Sequence, residues 1–69
     1  MKWISTKERL PLGRQPVLCI LRMNDQGEYA PWQEVLYHAK EWRRGNPDGN
    51  NTMVSSWNEV VWWRPLDWP

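Results

Sequence analysis

The sequence predicts a small β-rich domain of the α+β class, with an antiparallel sheet of three to four short strands and an N-terminal helical turn. Three observations carry that expectation. Val17-Leu18-Cys19-Ile20-Leu21 is a continuous apolar run of β-forming residues bounded by turn residues, too short for a helix. Asn24-Asp25-Gln26-Gly27 supplies a turn that returns the chain antiparallel through Glu28-Tyr29-Ala30. Val60-Val61-Trp62-Trp63 repeats the strand signal near the C-terminus, and Pro65 ends it by removing a ladder donor.

Taken in order, Ser5-Thr6-Lys7-Glu8 has the form of a capping box: the Ser5 hydroxyl would accept from the Glu8 amide while the Glu8 carboxylate returns to Ser5. A helical turn over residues 6–10 would follow and stop at Pro11, because a residue before proline is displaced from the helical region. The apolar residues of 17–21 point to both faces, so both sides of that central strand should be covered, with Cys19 inside as a small hydrophobe. Residues 32–44 admit two readings. Trp32, Val35, Leu36, Ala39 and Trp42 recur at helical spacing, with Pro31 able to start a helix and Gly45 to cap it, and periodicity alone favours that helix. Val35, Tyr37 and Ala39 also alternate as in a strand. Residues 45–51 are turn chemistry throughout, an exposed and mobile loop; Met53-Val54 can begin a strand, and Trp57 joins the closing one.

A 69-residue chain is one domain, residues 1–69, and a domain of that length buries only roughly 60% of its unfolded surface. Its seven Trp offset the thin 41% apolar content, and Trp3, Trp57 and Trp63 are the expected core members; there is no Phe. Dimerisation is the other common remedy for marginal size. Nine Lys and Arg against eight Asp and Glu give a net charge of +1, short of a nucleic-acid-binding footprint. The single cysteine excludes an internal disulfide, and no apolar run approaches the roughly 20 residues of a membrane span, so the cytoplasm is the expected location.

Both ends carry a Trp and Pro signature. Trp3, Ile4, Ser5, Glu8, Arg9, Leu10 and Pro11 at the front, Pro16, Val17 and Leu18 in the first strand, and Trp63, Pro65 and Leu66 at the close resemble the phage and prophage family known as domain of unknown function 551. The family typically opens Trp-Ile-Ser-Val-x-Asp/Glu-Arg-Leu-Pro and closes Thr-His-Trp-Met-Pro-Leu-Pro. The resemblance spans about half of the chain. Trp62 stands where the family usually has His, and Asp67-Trp68-Pro69 replaces its Pro-rich ending, so any role of that His does not transfer. What the resemblance implies is a β-rich phage or prophage accessory protein acting in the bacterial host cytoplasm; it tilts residues 32–44 toward a strand and supplies no catalytic residue.

The residues offer little for catalysis. His38 is the only histidine, which leaves no two-histidine metal site and no serine triad. Glu34, His38 and Glu41 would share one face of a helix, but a solvated charged face makes the same pattern. Neither Gly45 nor Gly49 has the strand, helix and Lys of a phosphate loop. No enzyme activity and no cofactor are therefore expected. Two surfaces suit a partner instead. Trp42-Arg43-Arg44 combines a ring with two guanidinium groups, suited to a protein partner's acidic surface or, more weakly, to single-stranded nucleic acid. At the close, if Trp63 is inside, Trp62 is outside, and with Arg64 and Trp68 it forms an apolar patch of interface type; equally, Trp62 covers the second face of the sheet. The expected partner-binding residues are Trp42, Arg43, Arg44, Trp62, Arg64 and Trp68, and the expected partner is a host protein, with a second copy of the chain as a structural alternative.

Overall fold

Six strands form one antiparallel sheet: β1 (Ile4–Ser5), β2 (Val17–Met23), β3 (Trp32–Ala39), β4 (Glu41–Gly45), β5 (Asn51–Met53) and β6 (Asn58–Pro65), in the spatial order β1-β6-β2-β3-β4-β5. The coordinates are a computed structural model, which describes residues 2–23 and 31–66. The expected turn at residues 24–27, its return through 28–30, and Trp68 lie outside the described residues.

As predicted, the apolar run beginning at Val17 is a central strand, held between β6 and β3; the expected cover on both faces is not met, since Leu18 and Ile20 on the other face stay half-buried. Val17, Cys19 and Leu21 point to one face and meet Leu36, Val54, Val60 and Trp63 in the core, with Ile4, Trp32 and Trp42 packed against its edges. Cys19 is fully buried, as expected; its thiol donates to the Val17 carbonyl oxygen at 3.7 Å. Loss of hydration pushes that thiol up to about 12, because the thiolate cannot be solvated there, and the nearby Glu34 charge adds to the effect.

A bulge explains the spacing of buried residues in β6. Ile20 pairs with Trp62 but Leu21 pairs with Val60, which leaves Val61 as the extra residue. Val60 and Trp63 consequently both face the core although three positions apart, which strict alternation forbids. Thr6 fastens the bulge to the N-terminus: its amide donates to the Val61 carbonyl at 3.1 Å, and its hydroxyl to the Val60 carbonyl at 3.0 Å.

Several expectations are corrected. The sheet has six strands where three to four were expected. Of the two readings of residues 32–44 the extended one holds and the helix does not, but as two strands, β3 and β4, joined by Lys40 alone, whose positive φ of 67° turns the chain so that Ala39 faces Glu41 across the ladder. Cross-strand burial outweighed the helical spacing, since Trp32 and Leu36 line the core by strand alternation and Trp42 by reversal of the chain. The N-terminal helical turn is absent. The Ser5 carbonyl accepts from the Glu8 and Arg9 amides in a tight turn, and the Ser5 hydroxyl accepts from Lys7, not Glu8, because Ser5 itself is held in β1 against Trp62. No helix occurs among the described residues.

Trp57 is not in the core. It sits in the turn before β6 with 64% of its surface exposed. Trp3 also lies outside the core cluster, on the opposite face of the sheet. Of the three expected core tryptophans only Trp63 is buried there; its indole N–H donates to the Arg9 carbonyl at 2.9 Å, satisfying the one polar atom that burial would otherwise penalise.

The Asn-rich loop is exposed but internally bonded. Asn46 accepts from Asp48 and Gly49, and the Asn51 side chain donates to Gly49. Gly45 has φ +109°, and a Cβ there would lie 2.5 Å from the Asn50 carbonyl oxygen, so only glycine fits this exit from β4.

Candidate functional site

Adjacent strand residues point to opposite faces, so the ladder that builds the core builds a second surface behind it. Leu18 and Ile20 of β2 lie on that outer face, opposite Arg64 and Trp62 of β6 and beside Val35 of β3. Trp3, preceding β1, joins them, since the Arg64 guanidinium carbon stands 4.9 Å from the centre of its ring. That distance is within cation–π range and holds both side chains in place. Trp3, Ile20 and Trp62 line a concavity of about 270 Å³. Trp62 is 41% exposed and Val35 50%, while Trp3, Leu18 and Ile20 are half-buried. A contiguous aromatic and aliphatic patch with one fixed cation therefore occupies this side.

Trp62 thus lies on the side opposite Trp63, as alternation predicted, and Arg64 stands on that same side. The alternative in which Trp62 seals the second face is met only halfway: its ring shields Ile20, yet keeps substantial exposure. Trp3 and Ile20 were missing from the expected contacts, although alternation from Cys19 was enough to place Ile20 outward.

Trp42, Arg43 and Arg44 do not form a shared surface. Trp42 packs against the core and meets His38 edge-on at a centroid distance of 5.1 Å. Arg44 is committed to Glu34 through two parallel bonds, Nε to Oε1 and Nη2 to Oε2, both 2.9 Å. The Trp32 indole N–H also donates to Glu34 at 2.7 Å. The Arg44 bond holds the Glu34 carboxyl below its ordinary range; burial opposes it, and the Trp32 bond and the Arg44 charge add smaller lowering effects. Trp32, Glu34 and Arg44 therefore form one polar unit at the edge of the core.

Arg43 faces the other way, opposite Tyr37, and its guanidinium donates to Asn51 at 2.9 Å and Glu41 at 3.2 Å. The three residues Glu34, His38 and Glu41 are consequently engaged with Arg44, Trp42 and Arg43 respectively. No group of His, Cys, Asp and Glu arranged to hold a metal ion occurs among the described residues.

No protein family model, curated protein or solved structure matches the chain. Among the described residues, no helix is long and apolar enough to cross a membrane.

Proposed function

We propose that the chain is a non-enzymatic phage or prophage accessory protein that acts in the host cytoplasm by occupying the surface of a host protein, as a host-modulating or anti-defence inhibitor. The observation that carries this reading is the outer aromatic face, where Trp62 remains exposed beside Trp3 and Ile20. Exposed apolar patches on small domains commonly mark interfaces, and Trp and Arg dominate binding energy at such surfaces. The phage origin is supported by the resemblance at both chain ends.

The chemistry of the face specifies its occupant. The concavity between Trp3 and Trp62 suits one apolar side chain, and Arg64 beside it suits a carboxylate on the same partner. Arg22 is already paired with Glu59 at 3.1 Å and contributes less. The pre-set Trp3 and Arg64 arrangement lowers the ordering cost of binding.

Affinity capture with the wild-type chain and with Trp62→Ser tests this directly. A stoichiometric host protein should be retained by the former and lost by the latter, and mixing the purified partner with the chain should reproduce the complex. Sedimentation of the chain alone provides the opposing outcome. A dimer dispersed by Trp62→Ser would assign the face to a second copy and remove the host-protein reading.

A further inference from the structure

We propose that the chain carries a second site, a polar cleft that binds a small phosphate monoester. The cleft, of about 660 Å³, lies between residues 11–14, the β3–β4 reversal and the Asn-rich loop. Its volume is that of an ordinary ligand pocket. Arg14, Lys40 and Arg43 line it against one carboxylate, Glu41, with His38 at its side.

Tyr37 distinguishes this cleft from a random groove. The residue is only 2% exposed, yet it lies outside the main core cluster and forms part of the cleft wall. Its hydroxyl has no hydrogen-bond partner among the described residues. No fully enclosed side-chain nitrogen or oxygen among them lacks a partner, so that hydroxyl keeps some contact with solvent, and the residue that carries it lines the cleft. That hydroxyl, solvated in the free chain, is free of protein partners among those residues and is available to donate to a ligand in the cleft.

Arg43 is the second element of the site. Asn51 and Glu41 fix its guanidinium through two of its five N–H groups, and three remain for a ligand. The Asn-rich loop thereby acquires a purpose: its internal bonds position Asn51, and Asn51 positions Arg43. Arg14 and Lys40 make no ion pair among the described residues, and Lys40 is held at the tip of the reversal by its positive φ. Three cations against one carboxylate leave a local charge of about +2, which matches a phosphate monoester carrying roughly −1.5 to −2 at neutral pH better than a single carboxylate. Arginine also offers phosphate a bidentate fork, and the tyrosine hydroxyl offers a third direction of approach.

Nuclear magnetic resonance titration of the full chain tests the site with three probes: inorganic phosphate, ribose 5-phosphate and succinate. Both phosphates should shift the resonances of Tyr37, Lys40 and the Arg43 side chain, and succinate should bind at least about tenfold more weakly. A tighter complex with ribose 5-phosphate than with inorganic phosphate would show that the wall of Pro11, Leu12 and Pro47 reads the organic part; equal affinities would confine recognition to the phosphate group. The double variant Arg14→Gln, Lys40→Gln should weaken phosphate binding by about tenfold or more. Tyr37→Phe should weaken it while leaving the unfolding midpoint unchanged, since no internal hydrogen bond is lost. Absence of shifts at millimolar phosphate, equal binding of succinate, or a clear drop in the midpoint of Tyr37→Phe would overturn the proposal.

Discussion

Trp62 and Trp63 are consecutive in one strand and have opposite fates. Trp63 is 5% exposed, bonded through its indole to Arg9 and packed among Val17, Cys19 and Leu21. Trp62 stands behind the same backbone, 41% exposed beside Trp3. The contrast extends to the whole sheet: one face satisfies the hydrophobic and hydrogen-bonding demands of folding, and the other retains apolar surface that folding leaves unused. Large side chains on the first face are a requirement of small size, whereas those on the second form the surface we propose for a partner.

Breaking the inner face should have the largest effect. Trp63→Ala removes a buried ring and orphans the Arg9 carbonyl, at a cost of about 3–5 kcal/mol. A chain of this length has a total stability of only roughly 3–10 kcal/mol, so denaturant titration should find the variant's stability reduced by about a third or more. Alkaline pH attacks the same face more gradually. The Cys19 thiol keeps its proton up to about 12 in the folded chain, whereas the unfolded thiol loses its own near its ordinary value of 9.0. Stability is therefore fully present below about pH 9 and declines toward pH 12, by at most about 1.4 kcal/mol per pH unit. Alkaline unfolding curves of wild type and Cys19→Ala should differ in that window, with the variant flatter.

The edge of the core responds to acid instead. Arg44 and Trp32 hold the Glu34 carboxyl below its ordinary 4.5, so its contribution is present above that pH and is lost as pH falls toward the depressed folded value. Glu34→Gln should cost about 1 kcal/mol at neutral pH and flatten the acid limb of the stability curve. The effect of Trp62→Ser on unfolding should stay well below that of Trp63→Ala, at about 1–2 kcal/mol, because the ring is 41% exposed and loses only its partial cover of Ile20. A cost comparable with that of Trp63→Ala would erase the distinction between the faces.

How far these features could be read from the residues alone follows the same division. The apolar run at Val17, the closing strand with its terminal Pro65, and the burial of Cys19 and Trp63 were legible because composition and turn chemistry agree there. Residues 32–44 misled because Trp32, Val35, Leu36, Ala39 and Trp42 happen to satisfy helical spacing, and the reversal at Lys40 has no glycine to announce it. The capping pattern at Ser5 was outweighed by pairing of β1 with β6, a contact between residues more than fifty positions apart that no local signal encodes. Trp57 misled through its residue type alone, since a tryptophan's average burial says nothing about a turn position.

The candidate surfaces were legible only in part. Alternation placed Trp62 opposite Trp63, and Arg64 followed. Trp3 required the β1 to β6 ladder, and the commitment of Arg44 to Glu34 required knowing that β3 and β4 are neighbours. Arg14 comes from a stretch far from Tyr37 and Lys40, which sit together at the end of β3 and its reversal, and folding alone brings the two stretches to one cleft.

The most direct test of the outer face as the working surface is the stoichiometry of host protein captured by wild-type chain and by Trp62→Ser under identical conditions. One partner per chain with wild type, and essentially none with the variant, is the predicted result. Equal capture by both would contradict it and move the search for a partner away from this side of the sheet.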